Sequence, residues 1–154
     1  MDCTFLHNRW LNGQGIKILC ISFAYFLLVG SCKKEIEIKV YRNKYEEALR
    51  QAESEGKKLF IYFDVISLPK PYLEKFLKNR KLRQALADDY IVVRLQCDKG
   101  LKFGVDTIDH GAKNLNIERE LTGRNYQPLY YIKDKKVEKF IGHCTLEELI
   151  EFVE

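Results

Sequence analysis

Apolar and polar residues alternate through residues 35–40 (EIEIKV), the pattern of a half-buried strand. The next block, YEEALRQAESE, places Tyr45, Ala48 and Ala52 on one helical face. Asn43 with Glu46 three residues on predicts a capped start for that helix, and Gly56 predicts its stop. Residues 58–64 (KLFIYFD) are nearly all apolar or β-favouring, as in a strand covered on both faces. A turn, SLPKP, then leads into a long helix over about residues 71–88. Its apolar stripe is Leu73, Phe76, Leu77, Leu82, Ala85 and Leu86, with a break near Asn79.

Residues 90–97 (YIVVRLQC) predict another buried strand. Residues 98–113 have no strong period and contain Gly100, Gly104 and Gly111, so they are expected as a loop. A short helix over 114–121 would turn Leu115, Ile117 and Leu121 inward and end at Gly123. Residues 129–133 and 137–142 predict a strand pair joined by the tight turn Asp134-Lys135-Lys136, and Thr145 with Glu148 forms a capping box for a terminal helix. After residue 43 the order is α-β-α-β-α-β-β-α. That order implies an α/β fold: a mixed sheet flanked by helices on both faces.

The composition, 46% apolar and 31% charged over 154 residues, is that of one globular domain with a core of its own. Net charge is +4, with basic and acidic residues interleaved as in KKEIEIK. No basic stripe with interleaved aromatics appears, which argues against a nucleic-acid partner. His7 and His110 are isolated and no metal-ligand spacing occurs, so no metal site is expected.

Residues 18–29 (ILCISFAYFLLV) form a twelve-residue apolar run behind Lys17 and Arg9. It falls short of the roughly 20 residues a membrane span needs and suits the apolar region of an export signal. It ends in Val29-Gly30-Ser31-Cys32, followed at once by KKE, and this resembles the lipobox of bacterial lipoproteins. On that resemblance residues 1–31 are a signal peptide and Cys32 carries the lipid. Residues 32–42 are then a linker and strand, and residues 43–154 the folded domain. The protein would be a membrane-anchored lipoprotein of the cell envelope, facing the periplasm or the exterior. An uncleaved short anchor or a buried helix is the plainer alternative for the run.

Three segments carry a resemblance for the domain: YEEALRQAESEGKKLFIYF, YLEKFLKNRKLRQALADDYIVVRLQCD and GRNYQPLYYIKD. Together they resemble the thioredoxin-like family, above all the soluble domain of Bacteroidetes DsbD-type thiol:disulfide interchange proteins. The resemblance implies a thioredoxin-like fold of four core strands plus an N-terminal strand, a cis-proline at Pro128 preceded by Gln127, and no organic cofactor. It also implies a Cys-x-x-Cys in the turn before the long helix, where a helix N-terminus would activate the first thiol. That motif is missing. The two positions fall on Ser67 and Lys70, or on Leu68 and Pro71 one residue later. A Ser-x-x-Lys pair occurs in acyl-transfer enzymes, but no second motif or oxyanion hole accompanies it here; Ser67 as a helix cap is the simpler reading.

The domain keeps two thiols, Cys97 and Cys144. The strand order implied by the resemblance puts them about three strand spacings apart, roughly 14 Å, against the about 7 Å Cα separation a disulfide tolerates. Cys144, beside His143 and before a capped helix, is the candidate reactive thiol; an incidental part-buried cysteine is the alternative. Tyr126, Tyr130 and Tyr131 around Pro128 are candidates to line a groove, with core packing the alternative for those on the strand. Three readings follow. The first is a non-catalytic module binding an extended polypeptide or envelope protein through the SLPKP turn and the Gln127-Pro128 loop. The second is an oxidoreductase working through a single cysteine or a partner's cysteines, and the third is a lipoprotein that reuses the fold without a groove.

Overall fold

The computed structural model describes residues 36–66, 72–103 and 108–154. The apolar run, Cys32 and the turn positions Ser67 and Lys70 lie outside the described residues. Strand β1 is Val40–Arg42, helix α1 Tyr45–Glu55, strand β2 Lys58–Asp64, helix α2 Tyr72–Phe76 and helix α3 Arg80–Asp89. Strand β3 follows at Tyr90–Gln96, helix α4 at His110–Thr122, strands β4 and β5 at Leu129–Lys133 and Glu138–Ile141, and helix α5 at Leu146–Val153.

The five strands form one sheet in the order β1-β3-β2-β4-β5. Strands β1 and β2 run parallel to β3, whereas β4 is antiparallel to β2 and β5 to β4. The side-chain alternation of β2 and β3 divides the core into two layers. Leu59, Ile61, Phe63, Val93 and Leu95 pack with Ala48 and Ala52 of α1 and Ile117 of α4. Phe60, Tyr62, Tyr90 and Val92 pack on the other face with Leu73, Phe76, Leu82 and Leu86 of α2 and α3, and with Leu149 and Val153 of α5. The α/β sandwich read from the sequence is the one that forms.

Several boundaries differ from the expected ones. The first strand covers residues 40–42 rather than 35–40, because its partner β3 starts only at Tyr90, directly after α3, and Val40 already pairs with Val92. Ile38 still packs into the core. The Asn43–Glu46 capping box does not form: the cap position of α1 is Lys44, without a side-chain cap bond. Asn43 instead takes a left-handed backbone (φ 55°), which asparagine tolerates, and its carboxamide reaches across the fold. Its oxygen accepts from Gln96 N and Asn114 Nδ2, both at 2.8 Å. The break at Asn79 is real, and Asn79 caps α3 by accepting from Leu82 N at 3.1 Å.

The expected loop over 98–113 ends early, since α4 begins at His110, capped by Asp109. Gly111 belongs to the helix for reasons of space: a Cβ built there would lie 1.6 Å from the carbonyl oxygen of Asp98. The last strand is residues 138–141 rather than 137–142. The Thr145–Glu148 capping box is present, with both bonds made.

Candidate functional site

The parallel strands β2 and β3 end together, with Asp64 beside Gln96. Strand β4 enters the sheet at the same end, because Phe63 pairs with Leu129. The C-terminal end of β2, the exit of β3 and the segment before β4 therefore meet at one rim. Crevices at the carboxyl ends of parallel strands are where open α/β sheets take their ligands.

The Gln127–Pro128 peptide bond at this rim is cis. The loop that leads into it hangs from Glu118 on α4, a carboxylate with no exposed surface at all. Glu118 Oε1 accepts from the backbone N–H of Tyr126 at 2.7 Å, and Oε2 accepts from the side-chain amide of Gln127. The Cys97 sulfur lies 3.9 Å from the same Oε2. Burial raises the Glu118 carboxyl above its ordinary range, and the bonds from Tyr126 and Gln127 work against that rise. The side chain of Gln127 thus faces inward and holds the loop.

A second polar group lies across the sheet. Asp64, 2% exposed, ends β2, and its Oδ2 accepts from Arg94 Nη2 at 2.6 Å and Nε at 3.0 Å. Arg94 also reaches Glu74 of α2 at 3.3 Å. The other oxygen of Asp64 is buried without a hydrogen-bond partner among the described residues. Burial outweighs the pull of Arg94 and holds the Asp64 carboxyl above its usual value. Where β2 leaves the sheet, Ile66 N donates to both oxygens of Asp98, at 3.1 and 2.9 Å.

Both candidate thiols are free and buried, in different core layers on opposite faces of the sheet. Burial first, then Glu118, pushes the Cys97 thiol far above its ordinary range. Burial, then Glu148, pushes Cys144 up to about 11. Neither has the electropositive, part-exposed surroundings that make a thiolate nucleophile at neutral pH.

Tyr130 and Tyr131 are each 1% exposed and belong to the two core layers, so they line no groove. Residues on consecutive positions of a doubly covered strand point into opposite layers, and both layers here are closed. Tyr126 is 54% exposed and Ile66 62% exposed, which leaves them, among the described residues, as the large apolar side chains that the rim presents beside Phe103 and Ile108 of the loop after β3. Sequence reasoning singled out Gln127 and Pro128 but missed Glu118, Asp64 and Arg94. A signal existed for each. Glu118 shares a helical stripe with Asn114 and Leu121, and Asp64 and Arg94 fall on the same strand parity as Tyr62 and Val92.

No protein-family model matches the chain, and no curated protein does. Two similar solved structures are a thioredoxin from Thermus thermophilus and a DsbH oxidoreductase. The thioredoxin is 16% identical with a TM-score of 0.51, over 75% of this chain and 84% of that one. The DsbH oxidoreductase is 12% identical with a TM-score of 0.50, over 69% of this chain and 73% of that one. At these identities the likeness concerns the fold. Sheet order, the crossing of helices over both faces and these neighbours agree: the chain has a thioredoxin-like fold.

Proposed function

We propose that the protein is a non-catalytic polypeptide-binding or assembly module of the cell envelope, anchored through a lipid on Cys32, that takes an extended chain at the rim around Tyr126 and Ile66. The observation that carries this reading is a contrast within one domain. The rim presents Tyr126 on a loop fixed by a buried carboxylate and Ile66 at the exit of β2, whereas both described thiols are closed inside the core. Replacement of the Cys-x-x-Cys positions by Ser67 and Lys70 supports the same reading, since dithiol exchange needs two sulfurs that can reach each other. The single-cysteine oxidoreductase reading would require Cys144 to become exposed and ionised, against its burial and raised pKa.

Photo-crosslinking tests the binding site. A photoreactive residue replacing Tyr126 should capture short unstructured peptides. The same group at Val137, exposed on the β4–β5 turn at the far end of the sheet, should not. Equal capture at both positions would reject the rim as the binding face. The anchor is tested separately with a fatty-acid analogue, whose label should disappear in Cys32→Ala.

A further inference from the structure

Isolated carboxylates are seldom buried completely, because desolvation costs several kcal/mol unless donors replace water. Glu118 has no exposed surface, and among the described residues no cationic side chain acts on it. Its donors are the Tyr126 N–H, the Gln127 side-chain amide and the Cys97 thiol. Two of the three belong to the loop before Pro128. The same turn of α4 ties the loop again, since Thr122 Oγ1 lies 2.8 Å from both Glu118 O and Arg124 O.

Tyr126 is restrained from its other end as well. Gly142, just past β5, has no positive φ that would call for glycine. What it supplies is room: a Cβ built there would lie 2.8 Å from Tyr126 Cε1 and 3.3 Å from Cδ1. The ring therefore rests on the Gly142 backbone while its main-chain N–H is fixed by Glu118. An aromatic side chain that is half exposed yet held at both ends loses little entropy when a partner packs on it.

We propose that Glu118 and Gly142 are positioning residues that together hold Tyr126 as a preformed aromatic contact, so that the rim favours extended polypeptides bearing apolar or aromatic side chains. The proposal rests on the polypeptide-binding reading above, but the loop-holding part can be measured without any ligand.

In Glu118→Gln the carboxamide turns one acceptor into a donor facing donors. Amide hydrogen exchange at Tyr126, followed by NMR, should then speed by about tenfold or more while the amides of β2 and β3 keep their protection. Gln127→Ala removes a single donor and should move exchange in the same direction, which serves if Glu118→Gln does not fold. Gly142→Ala should leave Tyr126 exchange unchanged but displace the ring. Both Glu118→Gln and Gly142→Ala should weaken binding of a short phenylalanine-containing peptide by about tenfold, as Tyr126→Ala does. Unchanged Tyr126 exchange in Glu118→Gln would overturn the positioning role. Full peptide affinity in Gly142→Ala and Glu118→Gln, with affinity lost in Tyr126→Ala, would overturn the link between position and binding. Failure of the parent chain to bind the peptide, with the exchange change present, would overturn the binding reading and leave Glu118 as the anchor of this loop.

Discussion

Cys144 and Cys97 have the same chemistry as any thiol, and their surroundings decide how little of it is available. Cys144 is 8% exposed and its pKa is pushed up to about 11, so at neutral pH it is overwhelmingly the thiol form. Alkylation of the native protein at pH 8, read by mass spectrometry, should leave both residues unlabelled on a timescale that labels them fully in urea. Rapid native labelling of Cys144 would revive the single-thiol reading. The raised values also fix the sign of an alkaline effect. Cys144 rises from its ordinary 9.0 to about 11, and Tyr90, whose hydroxyl donates to Val153 O at 2.7 Å, rises from 10.0 to about 12. Their stabilisation is complete below the ordinary values and is lost as pH climbs through the raised ones. The urea midpoint should hold to about pH 9 and fall above it, and Cys144→Ala should lessen the early part of the fall without abolishing it, because buried Cys97 is raised from the same ordinary value. The Asp64–Arg94 pair makes a further prediction. Arg94→Met leaves Asp64 buried without its cation and should cost about 3–5 kcal/mol in urea denaturation; a loss below 1 kcal/mol would show that the ion pair is not what holds this end of the sheet.

Helix ends were the least legible part of the sequence, and α4 shows why. Residues 98–113 carry no apolar period, because the first turn of α4 is fixed by a polar cap and by a close approach rather than by a buried stripe. Asp109 accepts from Ala112 N and Gly100 N, and Gly111 passes against the backbone of Asp98. A glycine that reads as a loop signal is therefore a packing residue. Gly111→Ala should destabilise by about 1–3 kcal/mol, measured by thermal or urea unfolding, because the obstacle is main chain and cannot swing aside. Local signals succeeded where the side chain bonds its own helix. Thr145 caps as its spacing predicts, and Asn79, where only a break was expected, caps α3, so that Asn79→Ala should cost about 1 kcal/mol. Asn43 has the same cap-like spacing and fails, since its carboxamide is drawn to Gln96 and Asn114, partners more than fifty residues away that no local pattern contains. Strands β2, β3 and β4 were legible almost to the residue, because continuous burial leaves a continuous apolar run.

Taken whole, the domain separates what makes the fold from what its rim presents. The two core layers follow from patterns visible along the chain, whereas the β3-β2-β4-β5 order of the inner strands and the cis-proline at Pro128 were implied by the family resemblance. The candidate site was legible only in part. Gln127 and Pro128 could be named, but the residue that holds them, Glu118, is one charged position in a helix, and only the fold brings it under the loop. The resulting domain has a thioredoxin-like frame, closed thiols and an apolar rim. That combination makes one experiment decisive. Binding of a short unstructured peptide should be measured for the parent chain and for the chain with Cys144, the thiol of the opposite core layer, replaced by Ala. Equal affinity in the two is the predicted result, because the rim and not sulfur makes the contact. Binding that disappears with the Cys144 thiol would contradict it and return the protein to thiol chemistry.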